Sequence, residues 1–364
     1  MDQNNIDKGY LQIQVSSMAD ARPVPDATVS ISYTGEPENA LEQLTTNSSG
    51  QTDTIQLDTP PLEYSVNPTI ESQPYSEYTI TVTAPGFEPI SISGAELLPV
   101  VTALQNISLR PLTPSTENEE VFVIPAHTLY GDYPPKIPES EIKPVRETGE
   151  IVLSRVVVPE YIVVHDGSPR DTTARNYYVK YKDYIKNVAS SEIYATWPEN
   201  TIRANVLAIM SFTLNRVYTE WYRNQGYDFT ITSSTAFDHK WIPERNIYDT
   251  ISVIVDELFA SYLSRPNVKQ PILTQYCDGR RVTCPNWMSQ WGSKALGDQG
   301  YTTPEILRYY YGDNLYINTA QEISGIPSSW PGYTLMDGAS GDKVRQLQEQ
   351  INVISDAYPA IPKV

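Results

Sequence analysis

The first hundred residues alternate. "YLQIQV", "ATVSISY", "YTITVTA" and "PISIS" set apolar or β-branched side chains at every second position, the period of a strand with one buried face. Turn signals separate them at Pro23 to Asp26, at Asn47 to Gly50 and at Pro85-Gly86. Residues 9–112 therefore predict a small β-sandwich. Past residue 113 the texture changes. "TPSTENEE" is polar and acidic, and "YPPKIPESEIKPVRETGE" is rich in proline and charge. That composition suits a linker, or an extended segment laid on another domain, where proteolysis concentrates.

From about Val156 the pattern becomes globular. "VVVPEYIVVH" predicts a buried strand. Helices are expected over 178–195 and 198–224. The second has Thr196 as a cap, Pro198 in its first turn, Glu199 completing a capping box and Gly226 as its stop. Its stripe of Ile202, Val206, Ile209, Met210, Thr213 and Val217 is joined by Leu207, Ala208, Phe212 and Leu214 elsewhere on the wheel. A helix apolar nearly all round belongs in the centre of a domain. "NIYDTISVIVDELFASYL" reads as another helix, and "PILTQYCDGRRVTCP" as strand and loop. "TPEILRYYYG" reads as a short helix capped by Thr303 and ended by Gly312. In the tail, Ser340 or Asp342 can cap a helix striped by Val344, Leu347 and Ile351. The fold class is thus multidomain: an all-β sandwich, a mixed α+β domain, then a partial helical segment.

One carboxylate breaks the pattern. In "NVASSEIYATWP", Glu192 sits among small and apolar residues. At 100° per residue with Ile185 at 0°, Tyr181, Val188, Ala189 and Glu192 fall on one side. Asn187, Ser190 and Asp183 fall opposite. Glu192 is therefore central in the apolar stripe. An unpaired buried carboxyl group resists ionisation, and a carboxyl that keeps its proton near neutral pH is what a general acid needs to break a glycosidic bond. The competing reading is a buried glutamate paired with Arg or Lys, or bound to the helix start at Pro198. The wheel does not separate the two.

Charge narrows the partners. The net charge is −18, and its load lies early: 14 acidic against 3 basic residues in 1–113, and 9 against 4 in 114–160. A field of that sign disfavours nucleic acid and anionic membrane. No run approaches the roughly 18 apolar residues of a membrane span, and the N-terminus lacks the features of a signal peptide. Only Cys277 and Cys284 occur, with six residues between them and no histidine there. A disulfide, free thiols, or a zinc site completed by His165 and His239 all stay open. No phosphate-binding or dinucleotide loop and no serine or cysteine triad is present, so no cofactor is expected.

"YIKNVASSEIYATWPENTIRANVLAIMSFTLNR" resembles the opening block of the stage II sporulation protein D family (SpoIID/LytB), and "MSQWGSKALGDQGYTTPEILRYYYG" resembles its second block. The two stand in family order over roughly residues 178–316. Asn205 and Met210 depart from the usual Gln and Arg, and the Cys-Gly-Gly block survives only as "CDGRRVTC". The resemblance implies a lytic transglycosylase acting on peptidoglycan glycan strands, with Glu192 as catalytic acid, then base. Glu199 is the nearest second carboxylate, but its expected capping role accounts for it. Gln290 is the preferred polar substrate contact, with Ser289 a weaker one. Trp287 and Trp291 could line a glycan groove, while the tyrosine run Tyr309 to Tyr311 suits core packing.

"GYLQIQV…PVPDATVSI" is similar to carboxypeptidase-regulatory-like sandwiches, and "LMDGASGDKVRQLQEQI" to the first helix of peptidoglycan-binding modules, here incomplete at Val364. Together the segments look like spore cortex-lytic enzymes of the SleC type. The implied domains are 1–113 (pro-region sandwich), 114–155 (activation segment), 156–326 (catalytic) and 327–364 (incomplete wall-binding module). The resemblance further implies a zymogen in the cortex or coat region of the spore, cut near Thr148 to Ser154 by a subtilisin-like protease. Other readings are an engulfment-type enzyme on vegetative wall, disfavoured by the absent anchor, and a non-catalytic wall-binding or structural spore protein. A hydrolase using a second carboxylate is a further one.

Overall fold

The computed structural model describes residues 6–112, 120–127, 129–132, 134–143 and 155–324, with isolated positions 344, 348, 351, 352, 355, 362 and 363 beyond. Residues 1–322 form one compact unit and 323–364 a second. The expected tail helix and the expected cleavage stretch lie mostly outside the described residues.

The first unit is mixed α/β with a strand-rich N-terminal part. That part holds β1 (Asp7–Ser17), β2 (Thr28–Tyr33), β3 (Ala40–Thr45), β4 (Ile55–Thr59), a short α1 (Glu63–Val66), β5 (Ser76–Thr83), β6 (Ile90–Leu97), β7 (Thr102–Leu109) and β8 (Glu120–Val123). β3-β2-β5-β6-β8 form one sheet, and β7-β1-β4 lie in another. Alternation does what the sequence expects of it: Leu11, Ile13 and Val15 of β1 are fully buried, as are Val29 and Ile31 of β2 and Ile80 and Val82 of β5. The turn at Asn47 closes on Gly50. Its φ is +73°, and a Cβ there would stand 2.3 Å from the Val15 carbonyl, so a side chain has neither the conformation nor the room.

The second part carries β9 (Val157–Val158), β10 (Tyr161–His165), β11 (Asn176–Lys180), α2 (Tyr181–Glu192), α3 (Glu199–Tyr218), β12 (Ile231–Thr232), β13 (Ile247–Tyr248), α4 (Asp249–Leu258), β14 (Ser261–Ser264), β15 (Tyr276–Cys277), β16 (Met288–Ser289), α5 (Gln290–Asp298), α6 (Thr303–Tyr311) and β17 (Tyr316–Thr319). α3 is the hub, packed by α2, α4, α5, α6 and β14. Nearly every residue from Ala204 to Tyr218 is buried, as its all-round apolar pattern requires.

Several expected boundaries move. Pro159 breaks the "VVVPEYIVVH" strand into β9 and β10, because proline donates no ladder hydrogen bond. The long helix over 246–263 shrinks to α4. Its flanks become β13 and β14, where aromatic and β-branched residues meet strand partners. α3 starts on Pro198 as its cap residue and ends at Tyr218, short of Gly226. Thr196 does not cap it: its hydroxyl donates to Ser65 Oγ at 2.8 Å. Glu199 pairs with Arg203 at 2.7 Å instead of closing a capping box. A capping box forms instead on α6, between Thr302 and Glu305, so its cap is Thr302 where Thr303 is expected.

The two parts are stitched together. β13 pairs antiparallel with β7, setting Ile247 opposite Leu104 and Tyr248 opposite Ala103. Beside that seam, the Arg245 guanidinium donates to the Glu96 carboxylate at 2.8 Å, both side chains being buried. Asn246 donates to the Glu96 carbonyl at 2.8 Å and accepts from its N–H at 3.0 Å. Trp197 Nε1 donates to the Ser65 carbonyl at 2.9 Å.

Candidate active site

Glu192 is the last residue of α2 and is 3 % exposed. The wheel places it on the apolar side, and the structure buries that side on the domain core. Of the wheel's polar side only Asp183, in the first turn, is exposed. Asn187 and Ser190 are buried. Asn187 clasps the Ile242 backbone through hydrogen bonds of 2.7 and 3.1 Å. The Ser190 carbonyl lies 3.1 Å from Nε2 of His127 in the connector. Tertiary partners cover what a lone helix would expose.

The Glu192 carboxylate is held by neutral donors. The Lys240 backbone N–H donates to Oε1 at 2.7 Å, and Gln290 Nε2 approaches Oε2 at 3.3 Å while donating to the Glu192 carbonyl at 2.9 Å. Burial pushes the carboxyl above its ordinary range, and the nearby Lys136 cation opposes this most among several weaker influences. Its place at the C-terminal end of a helix acts in the same direction as burial, because the helix dipole is negative there. The Tyr276 hydroxyl is also buried, and desolvation first and then the Glu192 charge hold it protonated.

An open cavity of about 160 Å³ reaches this group, smaller than the 300–1,000 Å³ usual for small-molecule sites. Its lining includes Glu192, Gln290, Tyr276 and Thr235, then Asp278, Arg281 and Val282 of the cysteine loop, and Pro134, Pro135 and Lys136 of the connector. Besides Glu192, the carboxylates in that lining are Asp132 and Asp278. Asp278 is spent on the loop it begins, accepting N–H groups of Arg280, Arg281 and Val282 at 3.3, 2.9 and 3.1 Å. Asp132 is fully exposed.

Cys277 and Cys284 close this loop as a disulfide, which decides among the states the spacing leaves open. Gly279 (φ +73°) packs against Ser289, and a Cβ would fall 1.8 Å from the Ser289 hydroxyl oxygen. His239 lies elsewhere in the core, stacked on the Tyr276 ring at 5.8 Å between centroids. His165 stacks on Phe229.

The "SQWG" segment explains itself residue by residue. Ser289 is the N-cap of α5 and accepts the Gly292 N–H at 2.9 Å. Gln290 faces Glu192. Trp291 is buried, with ring centroids 5.0 Å from Trp197 and 6.0 Å from Tyr194. A Cβ on Gly292 would meet the Tyr310 hydroxyl at 2.1 Å. Of the four expected substrate contacts, therefore, only Gln290 lines the cavity. Ser289 builds the helix start, Trp291 packs in the core, and Trp287 is half-buried away from the cavity lining. In the tyrosine run, Tyr311 is buried and donates to the Gln275 carbonyl at 2.9 Å, whereas Tyr309 is 66 % exposed.

Sequence reasoning missed Lys136, Tyr276 as a site residue, and Arg281. Lys136 stands in the connector, 56 residues before Glu192 in sequence, and no local pattern links them. Tyr276 precedes the cysteine loop and carries no signal beyond its position.

No family model and no curated protein matches the chain. Solved structures with some likeness include the Bacillus anthracis TIE protein (13 % identity over 29 % of this chain, TM-score 0.20). Klebsiella pneumoniae 5-hydroxyisourate hydrolase is 17 % identical over 29 % of this chain and 92 % of its own, with a TM-score of 0.18. GBS52, a minor pilin of Streptococcus agalactiae, is 14 % identical over 31 % of this chain and 49 % of its own, with a TM-score of 0.22. The chain spans 17 % of the TIE chain. Likenesses at these scores carry no argument about fold or activity.

Proposed function

We propose that the protein is a peptidoglycan lytic transglycosylase of the stage II sporulation protein D type, acting on spore cortex glycan strands. The observation that carries the reading is a buried carboxyl group with a raised pKa, held by neutral donors, at the wall of an open cavity. Glu192 donates its proton to the glycosidic oxygen as the C1–O bond breaks. The resulting carboxylate then accepts the proton of the muramoyl 6-hydroxyl as that oxygen closes on C1, giving a 1,6-anhydro ring and regenerating the acid. One carboxyl group suffices, which suits a cavity whose Asp278 is engaged by three N–H groups of its own loop. Gln290 orients the carboxyl in both steps.

In this reading the N-terminal strands are a carboxypeptidase-regulatory-like sandwich, and residues 327–364 belong to a wall-binding module. The chain is a zymogen of the SleC type, opened by a subtilisin-like protease during germination. Most of the acidic excess lies before residue 161, so its removal would ease approach to an anionic wall. Incubating protease-treated protein with cortex fragments tests the activity: anhydromuramoyl ends seen by mass spectrometry support it. Reducing ends alone would point to a hydrolase, and no cleavage to a wall-binding protein. Limited proteolysis tests latency, which fails if no cut falls between residues 113 and 160 or if the cut protein gains no activity.

A further inference from the structure

The connector does not pass at a distance from the cavity. Its residues 134–143 run along the 270–275 stretch as an extended strap. Ile137 donates its N–H to the Ala236 carbonyl at 2.7 Å and accepts from Gln275 Nε2 at 2.8 Å, and the Glu139 N–H donates to Gln275 Oε1 at 2.9 Å. The Glu139 carboxylate takes two N–H groups of buried Arg216 at 3.0 and 2.6 Å. Lys143 and Gln270 exchange backbone-to-amide bonds of 2.6 and 3.0 Å.

At its head the strap meets the cavity. Pro134 and Pro135 form part of its wall. Lys136 Nζ donates to the Asp238 carbonyl at 2.5 Å and stands 4.3 Å from the centre of the Tyr276 ring. Just upstream, Arg281 of the disulfide loop donates to the main-chain carbonyls of Gly131 and Tyr130 at 2.6 and 2.8 Å. An Arg fork gripping two successive acyl carbonyls is chemistry that the N-acetyl and peptide carbonyls of a glycan strand can equally satisfy.

We propose that this strap occupies the glycan cleft and closes it to a glycan strand, leaving only the small cavity over Glu192. Arg281 binds the Tyr130 and Gly131 carbonyls just upstream of the strap where it would bind the acyl groups of substrate, and Lys136 brings an ammonium group to the cavity that Glu192 lines. This rests on the reading of Glu192 as the acid. A cation in that place has a second effect: it favours the carboxylate, the wrong form for donating a proton, and it is the largest influence opposing burial at Glu192. A cut downstream of residue 143 severs the covalent tie but none of these contacts. Activation therefore needs the strap to peel off as well as to be cut.

The test uses the uncut full-length chain and two variants, Lys136→Met and the double change Pro134→Gly/Pro135→Gly. The two prolines are exposed, so the double change leaves the buried anchors alone. Two quantities are read: the rate at which a water-soluble carbodiimide with glycine ethyl ester amidates Glu192, followed by peptide mass spectrometry, and the anhydromuramoyl ends released from cortex fragments. If the strap shuts the cleft, both variants label Glu192 about tenfold faster or more, in proportion to the opened fraction, and both gain lytic activity without cleavage. Unchanged labelling in both, with near-ultraviolet circular dichroism intact, overturns the proposal. Faster labelling without lysis in any form, cut or uncut, upholds the strap and overturns the lytic reading instead.

Discussion

Two buried glutamates sit about a hundred residues apart in sequence, Glu96 on β6 and Glu192 at the end of α2. Burial pushes both carboxyl groups up, Glu96 to about 7. Their surroundings differ. Glu96 has an Arg245 guanidinium at 2.8 Å and sits within the seam between the two parts of the unit. Glu192 has a backbone N–H, an amide and an open cavity. A raised pKa is therefore shared by a structural tie and a candidate acid, and what separates them is whether a reactant can reach the oxygen. Buried ion pairs shift pKa as readily as active sites do.

The comparison breaks first on activity. Glu192→Gln keeps the shape and the Lys240 contact but cannot donate a proton, and cleaved protein carrying it should lose about 10²- to 10⁴-fold of its lytic rate. Glu96→Gln should keep the rate. A Glu192→Gln enzyme releasing anhydro ends at the wild-type rate would remove Glu192 from the chemistry.

Stability breaks it in the other direction. Truncating Glu96 to Ala leaves the Arg245 charge buried and unpaired, a loss of about 3–5 kcal/mol for a broken buried pair, read from denaturant unfolding of the full chain. Replacing both by Leu and Met should recover much of that loss. Glu192→Gln should cost less than that, because it leaves no buried charge unpaired; the amide oxygen can still accept the Lys240 N–H, and the 3.3 Å approach of Gln290 Nε2 is what it gives up.

The disulfide should contribute less. Cys277 and Cys284 are separated by 7 positions, and closing so short a loop is worth about 2 kcal/mol on the chain-entropy account. A Cys277→Ser/Cys284→Ser protein should melt slightly earlier. Since the loop presents Arg281 to the strap, it should also react faster at Glu192 in the carbodiimide assay.

The smallest effect is on the pH profile. Both folded carboxyls keep their protons to higher pH than in the unfolded chain, where a glutamate titrates near 4.5. The folded state binds more protons over that interval, so their contribution is complete below about 4.5 and is lost as pH rises, for Glu96 through about 7. Glu96→Gln should flatten the fall in melting temperature between about pH 4.5 and 7, and Glu192→Gln should flatten the fall above about pH 4.5. A steeper fall in either would mean that the carboxylate is the stabilised form.

Much of the fold was legible. Period-two alternation marked β1, β2, β5 and β6, because a strand with one buried face must alternate whatever it pairs with. α3 was legible as a central helix because its apolar residues encircle it. Its ends were not: Thr196 looked like a cap, but the hydroxyl found Ser65, a partner 131 residues away. Around the site, Glu192 and Gln290 were visible, the one as a charge in an apolar stripe, the other within the "SQWG" block. Trp291 and Ser289 looked like substrate contacts because aromatic and hydroxyl groups suit sugars. Their own neighbours claimed them first, Trp197 and Tyr194 for the ring and the Gly292 N–H for the hydroxyl.

The sequence by itself determined which face of α2 would be dry, since that depends only on 100° steps and the chemistry of each side chain. It determined that Glu192 would lie on that face. Only the tertiary structure decided what else would be there: that the polar side of the same helix is buried too, that neutral N–H donors and no arginine hold the carboxylate, and that Lys136 from the connector stands in the cavity. Burial adds up along one segment and can be read from its pattern. The partners of a buried charge come from chain segments tens to more than a hundred residues apart, and nothing in a local pattern names them.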